Sequence, residues 1–359
     1  MKKNSVKRIL IIRIDFLGDM VCTTPLLHAI KARWSRAEIH VLASKYNSPV
    51  LVNNPSVSKV YHYVFSKHYE KNDRPGFLNY CKDRARLILT LRSMKFDLLV
   101  IPSGGMNKNA IRFARQLNIP DCRWHNSATE FDDRNNMHVA NRTLVHEALS
   151  GFLLLPELDM PDIARLKLHV FPSQSRILSW QKILGDKNKP RVGFFVKNNS
   201  ADRCWPLQKW QALSEALSEK CEIVVFNSPQ KENAAARRES GHARWTEAAT
   251  PTVSDLIAAM MHLDIVVSAD SAPVHLASAS GIPVVALFES RPEKYRRWHP
   301  IGVRYILLHE GRQVGDIACA SVYAAVVKLL SENFSCKAWP GEADFSSLHL
   351  QSEERSLVG

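Results

Sequence analysis

The chain has 359 residues and carries 48 Lys and Arg against 35 Asp and Glu, a formal net charge of +13. That length suits two domains of ~100–200 residues, each able to bury its own core. With 45% hydrophobic and 23% charged residues, the composition excludes bulk disorder, and no stretch reaches the ~18 uncharged apolar residues of a membrane-spanning helix. The start, Met1 to Arg8, has the charge of a signal-peptide n-region, but Ile9–Ile14 is interrupted by Arg13 and no small-residue cleavage site follows. It reads as the first strand of a cytoplasmic protein. The cysteines, Cys22, Cys81, Cys122, Cys204, Cys221, Cys319 and Cys336, are odd in number and scattered without a Cys-x-x-Cys pair. Neither a disulfide framework nor a structural zinc site is expected. The basic balance leaves nucleic acid, an anionic membrane and acidic small molecules open as partners, and an ordinary solvated surface accounts for it as well.

In chain order, Arg8–Ile14 is a β-rich run ending at Asp15-Phe-Leu-Gly-Asp19, and Thr24–Arg33 has helical spacing with Pro25 early in it. Glu38–Ala43 and Val57–Val64 read as strands, Arg84–Ser93 as a basic amphipathic helix, and Phe96–Pro102 as a buried strand. Asn118–Asp133 is polar, Asn141–Leu155 is helical by spacing, and the segment 156–190, with Pro156, Pro161, Pro172 and Pro190, is the expected interdomain connection. The pattern then restarts with strand Arg191–Val196, helix Leu207–Ser218, strand Glu222–Phe226 and helices Glu232–Glu239 and Ser254–His262. Strand Asp264–Ser268, a helix from about Pro273 to Ser280 and strand Val284–Phe288 complete it, and the Ser- and Glu-rich tail from Cys336 is expected to be loosely attached. Alternation of this kind implies two α/β domains built on parallel sheets. The expected division is 1–180, 181–335 and the tail 336–359.

Three motifs carry chemistry. Asp15-Phe-Leu-Gly-Asp19 stands at the carboxyl end of the first strand, the end that faces the ligand crevice of an open α/β sheet. Gly18 permits close backbone approach, and the Asp19 carboxylate is placed either to take a proton from a substrate hydroxyl or to cap a helix. The loop is not Gly-x-Gly-x-x-Gly, which disfavours a dinucleotide cofactor. In Asp270-Ser271-Ala272-Pro273-Val-His275, a strand end opens directly into a helix whose N–H groups and dipole suit a diphosphate. Lys197-Asn-Asn-Ser200-Ala-Asp202-Arg203-Cys-Trp205-Pro206 offers small polar groups and a guanidinium for phosphate oxygens, with Trp205-Pro206 as an anchor into the core. The basic aromatic segment Arg291–Pro300 comes with no nucleic-acid-binding motif and reads as a solvated loop near an anionic ligand.

Taken together and in order, these pieces resemble glycosyltransferase family 9, the bacterial heptosyltransferases of lipopolysaccharide inner-core synthesis. The resemblance runs with gaps over roughly residues 7–330 through Arg8-Ile-Leu-Ile-Ile-Arg13 with Gly18-Asp19, Thr24-Pro25-Leu26, Phe96-Asp97-Leu98, His138-Val-x-Asn141-Arg142, Arg203-Cys-Trp-Pro206, Asp270-Ser-x-x-x-His275 and Gly281-x-Pro283. It implies a GT-B fold: two Rossmann-like doubly wound domains facing across a cleft. It further implies inverting, metal-independent transfer of heptose from ADP-heptose to a sugar hydroxyl of the lipid A–core acceptor, with no cofactor and no nucleic-acid partner. The enzyme would work at the cytoplasmic face of the inner membrane, held there peripherally.

Carried onto this chain, the resemblance makes Asp19 the catalytic base. Ser200, Arg203, Glu232, Asp270, Ser271, Ala272 and His275 become donor-binding, and Asp15, Gly18 and Lys108 fall on the acceptor side. Asp15 is a second carboxylate beside Asp19 and competes for the role of base. Lys197-Asn-Asn-Ser200 and Ala272-Pro273 depart from the family pattern, which leaves a different nucleotide sugar, or a non-catalytic binding protein, as alternatives. The basic excess is expected on the N-terminal domain around the cleft mouth, with Lys82, Arg84, Arg86 and Lys108 as candidates.

Overall fold

The computed structural model describes residues 6–125, 145–198, 200–226, 236–239 and 244–333. The first sheet is parallel throughout, in the order β3-β2-β1-β4-β5, from β1 (Arg8–Arg13), β2 (Glu38–Ala43), β3 (Lys59–His62), β4 (Leu98–Ile101) and β5 (Asp121–Trp124). A strand covered on both faces requires near-continuous apolar sequence, and Ile9, Leu10, Ile11 and Ile12 of β1 are fully buried. The helices of this half are α1 (Leu17–Arg33), α2 (Phe77–Ser93), α3 (Lys108–Ala114) and α4 (Glu147–Ser150). A further helix, α5 (Gln174–Leu184), leads into the second half.

The second sheet comprises β6 (Arg191–Phe195), β7 (Glu222–Phe226), β8 (Ala236–Glu239), β9 (Thr246–Ala249), β10 (Ile265–Ala269), β11 (Val284–Leu287) and β12 (Tyr305–Leu308). Its order is β12-β11-β10-β6-β7-β9-β8, and only the β8–β9 pair is antiparallel. Its helices are α6 (Leu207–Leu217), α7 (Val253–Met260), α8 (Ala272–Ala279), α9 (Pro292–Trp298) and α10 (Cys319–Asn333). Two parallel-sheet α/β halves of this kind are the GT-B architecture expected from the sequence.

Several local expectations are corrected. The first helix begins at Leu17 rather than Thr24, because the Asp19 carboxylate accepts the Phe16 N–H (3.1 Å) and closes the first turn. Pro25 therefore lies well inside α1. The Val21 carbonyl, which Pro25 has no N–H to serve, is taken by the Thr24 hydroxyl at 2.7 Å. The polar stretch after Asn118 contains the edge strand β5, where Arg123 pairs with Asp121 and Glu157; edge strands tolerate such charge. Residues 236–239, expected in a helix, pair in register with β9, since sheet pairing outweighs weak helical preference. The basic segment Arg291–Pro300 is not a solvated loop but contains α9, with Lys294 and Arg297 buried. Residues 180 and 181 lie inside α5, which is tied to the second half by an Arg176–Asp255 ion pair (2.6 Å) and a contact from His262 Nε2 to the Ile177 carbonyl oxygen at 2.9 Å. The tail from residue 334 lies outside the described residues. Among the described residues no helix is long and apolar enough to cross a membrane.

Candidate active site

In each sheet the strand order reverses beside the first strand of that half: between β1 and β4 in one, between β6 and β10 in the other. Loops leaving the carboxyl ends at such a switch point diverge and leave a crevice. Asp15–Asp19 follows β1, and Ser103–Gly104 follows β4. Asn198–Arg203 follows β6, and Asp270 follows β10. The candidate residues thus converge because of topology, although Asp19 and Asp270 stand far apart in the chain.

At the first crevice the organising group is Arg13, which ends β1 after four apolar residues and is only 2% exposed. Its guanidinium pairs with Asp15 Oδ1 (2.8 Å), Asp19 Oδ1 (3.0 Å) and Glu147 Oε1 (2.8 Å). Burial works against the charge on Arg13, but the three carboxylates overrule it and raise its proton affinity. The remaining oxygen of Asp15 accepts from Ser103 Oγ at 3.1 Å. Glu147 also accepts from the Gly104 N–H and is paired with Arg297. Burial would raise the Glu147 carboxyl, yet Arg297 and Arg13 hold it down at about 2. Asp19 goes the other way. Burial first, then the Asp15 and Glu147 charges, outweigh Arg13 and the Phe16 N–H and push it up to about 7. Asp19 is thus less firmly ionised than Glu147, poised where a general base works at neutral pH.

At the second crevice Arg203 Nη1 lies 3.3 Å from Asp270 Oδ2, and Asn198 Nδ2 donates to the Asp270 carbonyl (3.0 Å) while Asn198 Oδ1 accepts from the Ser200 N–H (3.1 Å). Burial raises the Asp270 carboxyl, against the opposing charges of Arg203 and Lys294. Ser271 sits at the N-cap of α8, but its hydroxyl donates to the Ala269 carbonyl (2.9 Å) and makes no side-chain cap bond. The first-turn N–H groups are thus left without a side-chain cap, which is the arrangement a diphosphate completes. Trp205 is buried, donates Nε1–H to Ile317 O (2.9 Å) and fixes this loop to the core as the sequence suggested.

The two crevices meet along a seam between α1 and α8. A Cβ at Gly18 would lie 2.8 Å from His275 Cδ2 and 3.5 Å from the Ala272 Cα. His275 is buried, its Nδ1 is 3.5 Å from Cys22 Sγ, and its ring meets Trp298 edge-on. Burial and then the neighbouring His299 push it down to about 4, so it is neutral near pH 7.

The structure therefore gathers Asp15, Gly18, Asp19, Ser200, Arg203, Asp270, Ser271, Ala272 and His275 at the two crevices and the seam joining them. Lys108 opens α3 at the exposed end of the loop after β4. Glu232, His138, Asn141 and Arg142 lie outside the described residues. Arg84, expected among the surface cations, instead stacks on Phe113 (4.3 Å to the ring centroid) and donates to the Val64 carbonyl. Sequence reasoning passed over Arg13, Glu147, Lys294 and Arg297 as site residues. Arg13 was legible as a charge in a core strand; Glu147 carried no signal, since its partners are distant in sequence.

Comparison with known proteins shows the family and the fold. The sequence model of "Glycosyltransferase family 9 (heptosyltransferase)" matches residues 84–316. The chain is 25% identical over 342 residues to a lipopolysaccharide heptosyltransferase 3 of Escherichia coli, covering 88% of this chain and 97% of the relative. A glycosyl transferase of family 9 from Veillonella parvula superposes with a TM-score of 0.71 at 18% identity, over 91% of this chain and 98% of that one. The heptosyltransferase WaaC of Escherichia coli, solved with ADP, superposes with a TM-score of 0.65 at 15% identity, over 90% and 99%. With a family model matched over more than half of its length and with its GT-B fold, the chain is an enzyme belonging to glycosyltransferase family 9, the heptosyltransferases.

Proposed function

We propose that the protein moves a heptose from ADP-heptose to a sugar hydroxyl of the lipopolysaccharide inner core, with inversion and without a metal ion. The observation that carries this reading is Asp19, a buried carboxylate held near 7 beside the seam where α1 meets the helix terminus of the nucleotide crevice. In this reading Arg203 and the uncapped start of α8 take the diphosphate, whose charge they meet with a guanidinium and N–H groups rather than a cation. Asp270 holds donor-sugar hydroxyls and His275 lines the site as a neutral ring. The acceptor hydroxyl approaches from the first crevice and loses its proton to Asp19 as its oxygen attacks the anomeric carbon. The ADP leaves from the opposite face, which inverts that centre, and the developing diphosphate charge settles on Arg203 and the helix terminus. The ADP-bound WaaC relative and the family's name support ADP-heptose as donor.

The placement of charge supports an anionic acceptor at a membrane surface. Residues 1–173, before α5, hold 26 Lys and Arg against 15 Asp and Glu, whereas residues 174–359 hold 22 against 20. The excess thus lies almost wholly in the acceptor half. There α2 exposes Phe77, Leu78 and Leu89 beside the exposed Lys82 and Arg86, a pairing of apolar and basic groups suited to peripheral binding at the cytoplasmic face of the inner membrane.

Calorimetric titration with ADP, UDP and GDP, followed by incubation of ADP-heptose with truncated lipopolysaccharide acceptors, tests the reading. ADP binding with heptose transfer to one acceptor is expected. Binding of UDP or GDP in preference to ADP, or absence of transfer to every inner-core acceptor, would overturn it.

A further inference from the structure

Arg297 belongs to α9 of the second half, but its guanidinium is lodged in the first. It is 2% exposed, pairs with Glu147 Oε2, lies 3.4 Å from Ser150 Oγ and donates to the Val145 carbonyl at 3.3 Å. The socket is shaped for it: a Cβ on Gly104 would overlap Arg297 Nη2. The two oxygens of Glu147 therefore face different halves of the protein. Oε2 holds Arg297, while Oε1 holds Arg13 and the Gly104 N–H. Arg13 in turn is shared among Glu147, Asp15 and Asp19. An unbroken ion-pair chain thus runs from a C-terminal helix to the carboxylate assigned as base.

We propose that Glu147 is a positioning residue: by dividing its carboxylate between Arg297 and Arg13, it sets how firmly Arg13 holds Asp19, so that the base is readied only when the two halves are seated together. This rests on the assignment of Asp19 as base in the reading above. The physical basis is competition for one guanidinium. With Arg297 in its socket, half of the Glu147 charge is spent on the second half, and Arg13 remains available to the aspartates. Without Arg297, Glu147 presents an uncompensated anion to Arg13 and to Asp19. Arg13 is then drawn toward Glu147, and Asp19 keeps its proton to higher pH. Without the Glu147 charge, Arg13 is left to the two aspartates and Asp19 releases its proton at lower pH. The groups facing Asp19 are Arg13 on β1, Asp15 and the Phe16 N–H on the following loop, and Glu147 on α4. Across the seam His275 adds no charge near neutrality.

The test is a carbon-13 carboxyl titration of the full chain labelled at aspartate, the Asp19 signal being identified by its loss in Asp19→Asn. In Arg297→Met the Asp19 midpoint is expected to rise by about one pH unit, and in Glu147→Gln to fall by a similar amount. Arg297→Lys should retain the wild-type midpoint more closely than Arg297→Met. The double variant Glu147→Gln/Arg297→Met replaces the buried pair with neutral groups, keeps the comparison open if a single variant does not fold, and is expected to titrate on the low side. Opposite displacements are the signature, because loosening of the fold alone would move both single variants alike. Unmoved midpoints, or displacement in the same direction, would overturn the proposal, as would an unmoved midpoint in the double variant. Transfer from ADP-heptose gives the functional counterpart: the acid limb of kcat moves with the midpoint while the KM for donor stays within about twofold. Wild-type protein that titrates as described yet transfers no heptose would sink the functional reading and leave the ion-pair chain standing.

Discussion

Gly18 and His275 face each other across the seam between the two halves: a methyl group at Gly18 would lie 2.8 Å from the imidazole Cδ2. One is the residue before Asp19 on α1, and the other lies in the first half of α8, the helix that opens directly after Asp270. The absence of a side chain at position 18 thus lets α1 pack against His275 and the start of α8.

Replacing Gly18 by alanine should force α1 and α8 apart. Overpacking of this kind costs about 1–3 kcal/mol, and misalignment of reacting groups by about 1 Å costs on the order of 100-fold in rate. The variant is therefore expected to remain folded by thermal melting and to lose most of its kcat. Retention of wild-type kcat would show that the seam does not set the geometry.

Arg203 is predicted to act on the donor alone. Loss of a hydrogen bond to a charged group is worth roughly 1.5–3 kcal/mol, so Arg203→Met should weaken ADP binding by about 10- to 100-fold in calorimetry. The KM for acceptor should stay near its wild-type value. Loss of acceptor affinity with ADP binding intact would place Arg203 on the wrong side of the cleft.

Much of the fold and site is legible in the sequence, and the limits have physical causes. The apolar runs of β1, β4, β6 and β10 carry local signals, and the loops that follow them mark Asp19, Arg203 and Asp270 as candidates, whose expected roles come from the family resemblance rather than from residue type and spacing. The first turns of α1 are hidden because Phe16, Gly18 and Asp19 look like a turn, and only the Asp19–Phe16 hydrogen bond shows that they are a helix start. Glu147 and Arg297 cannot be joined by sequence, since the pair exists only through the docking of α9 on the first half. The antiparallel edge strand β8 escapes for a related reason: its conformation is dictated by β9 rather than by its own composition.

Acid should loosen the seam between the halves. Burial lowers His146, His275 and His299, and His275 reaches about 4. The unfolded chain therefore binds protons below about 6.5 that the folded chain refuses, and stability falls as pH drops from about 6.5 toward 4, by roughly 3 kcal/mol for His275 alone. Asp19 opposes this, because its raised carboxyl lets the folded protein bind a proton between about 7 and 4 that the unfolded chain does not. In Asp19→Asn that opposition is gone, and the melting temperature should fall more steeply over this range than in wild type. A shallower slope in Asp19→Asn would contradict the assigned environments.

Membrane binding through α2 should require both its charge and its apolar groups. Each Lys or Arg near an anionic surface contributes about 1 kcal/mol, so Lys82→Glu/Arg86→Glu should weaken flotation with phosphatidylglycerol-containing vesicles by more than about tenfold. Leu78→Asp/Leu89→Asp should also reduce it, while transfer to a detergent-dispersed acceptor stays unchanged. Equal flotation of wild type and both variants would remove α2 from the docking surface.

Asp19 is proposed to take the proton from the acceptor hydroxyl during heptose transfer. This role is tested most directly by single-turnover transfer from ADP-heptose to the preferred truncated lipopolysaccharide acceptor, comparing wild type with Asp19→Asn at saturating donor. A loss of at least about 100-fold in the transfer rate is expected, with ADP affinity within about threefold of wild type. Transfer by Asp19→Asn at the wild-type rate, or its loss only in Asp15→Asn, would contradict this role.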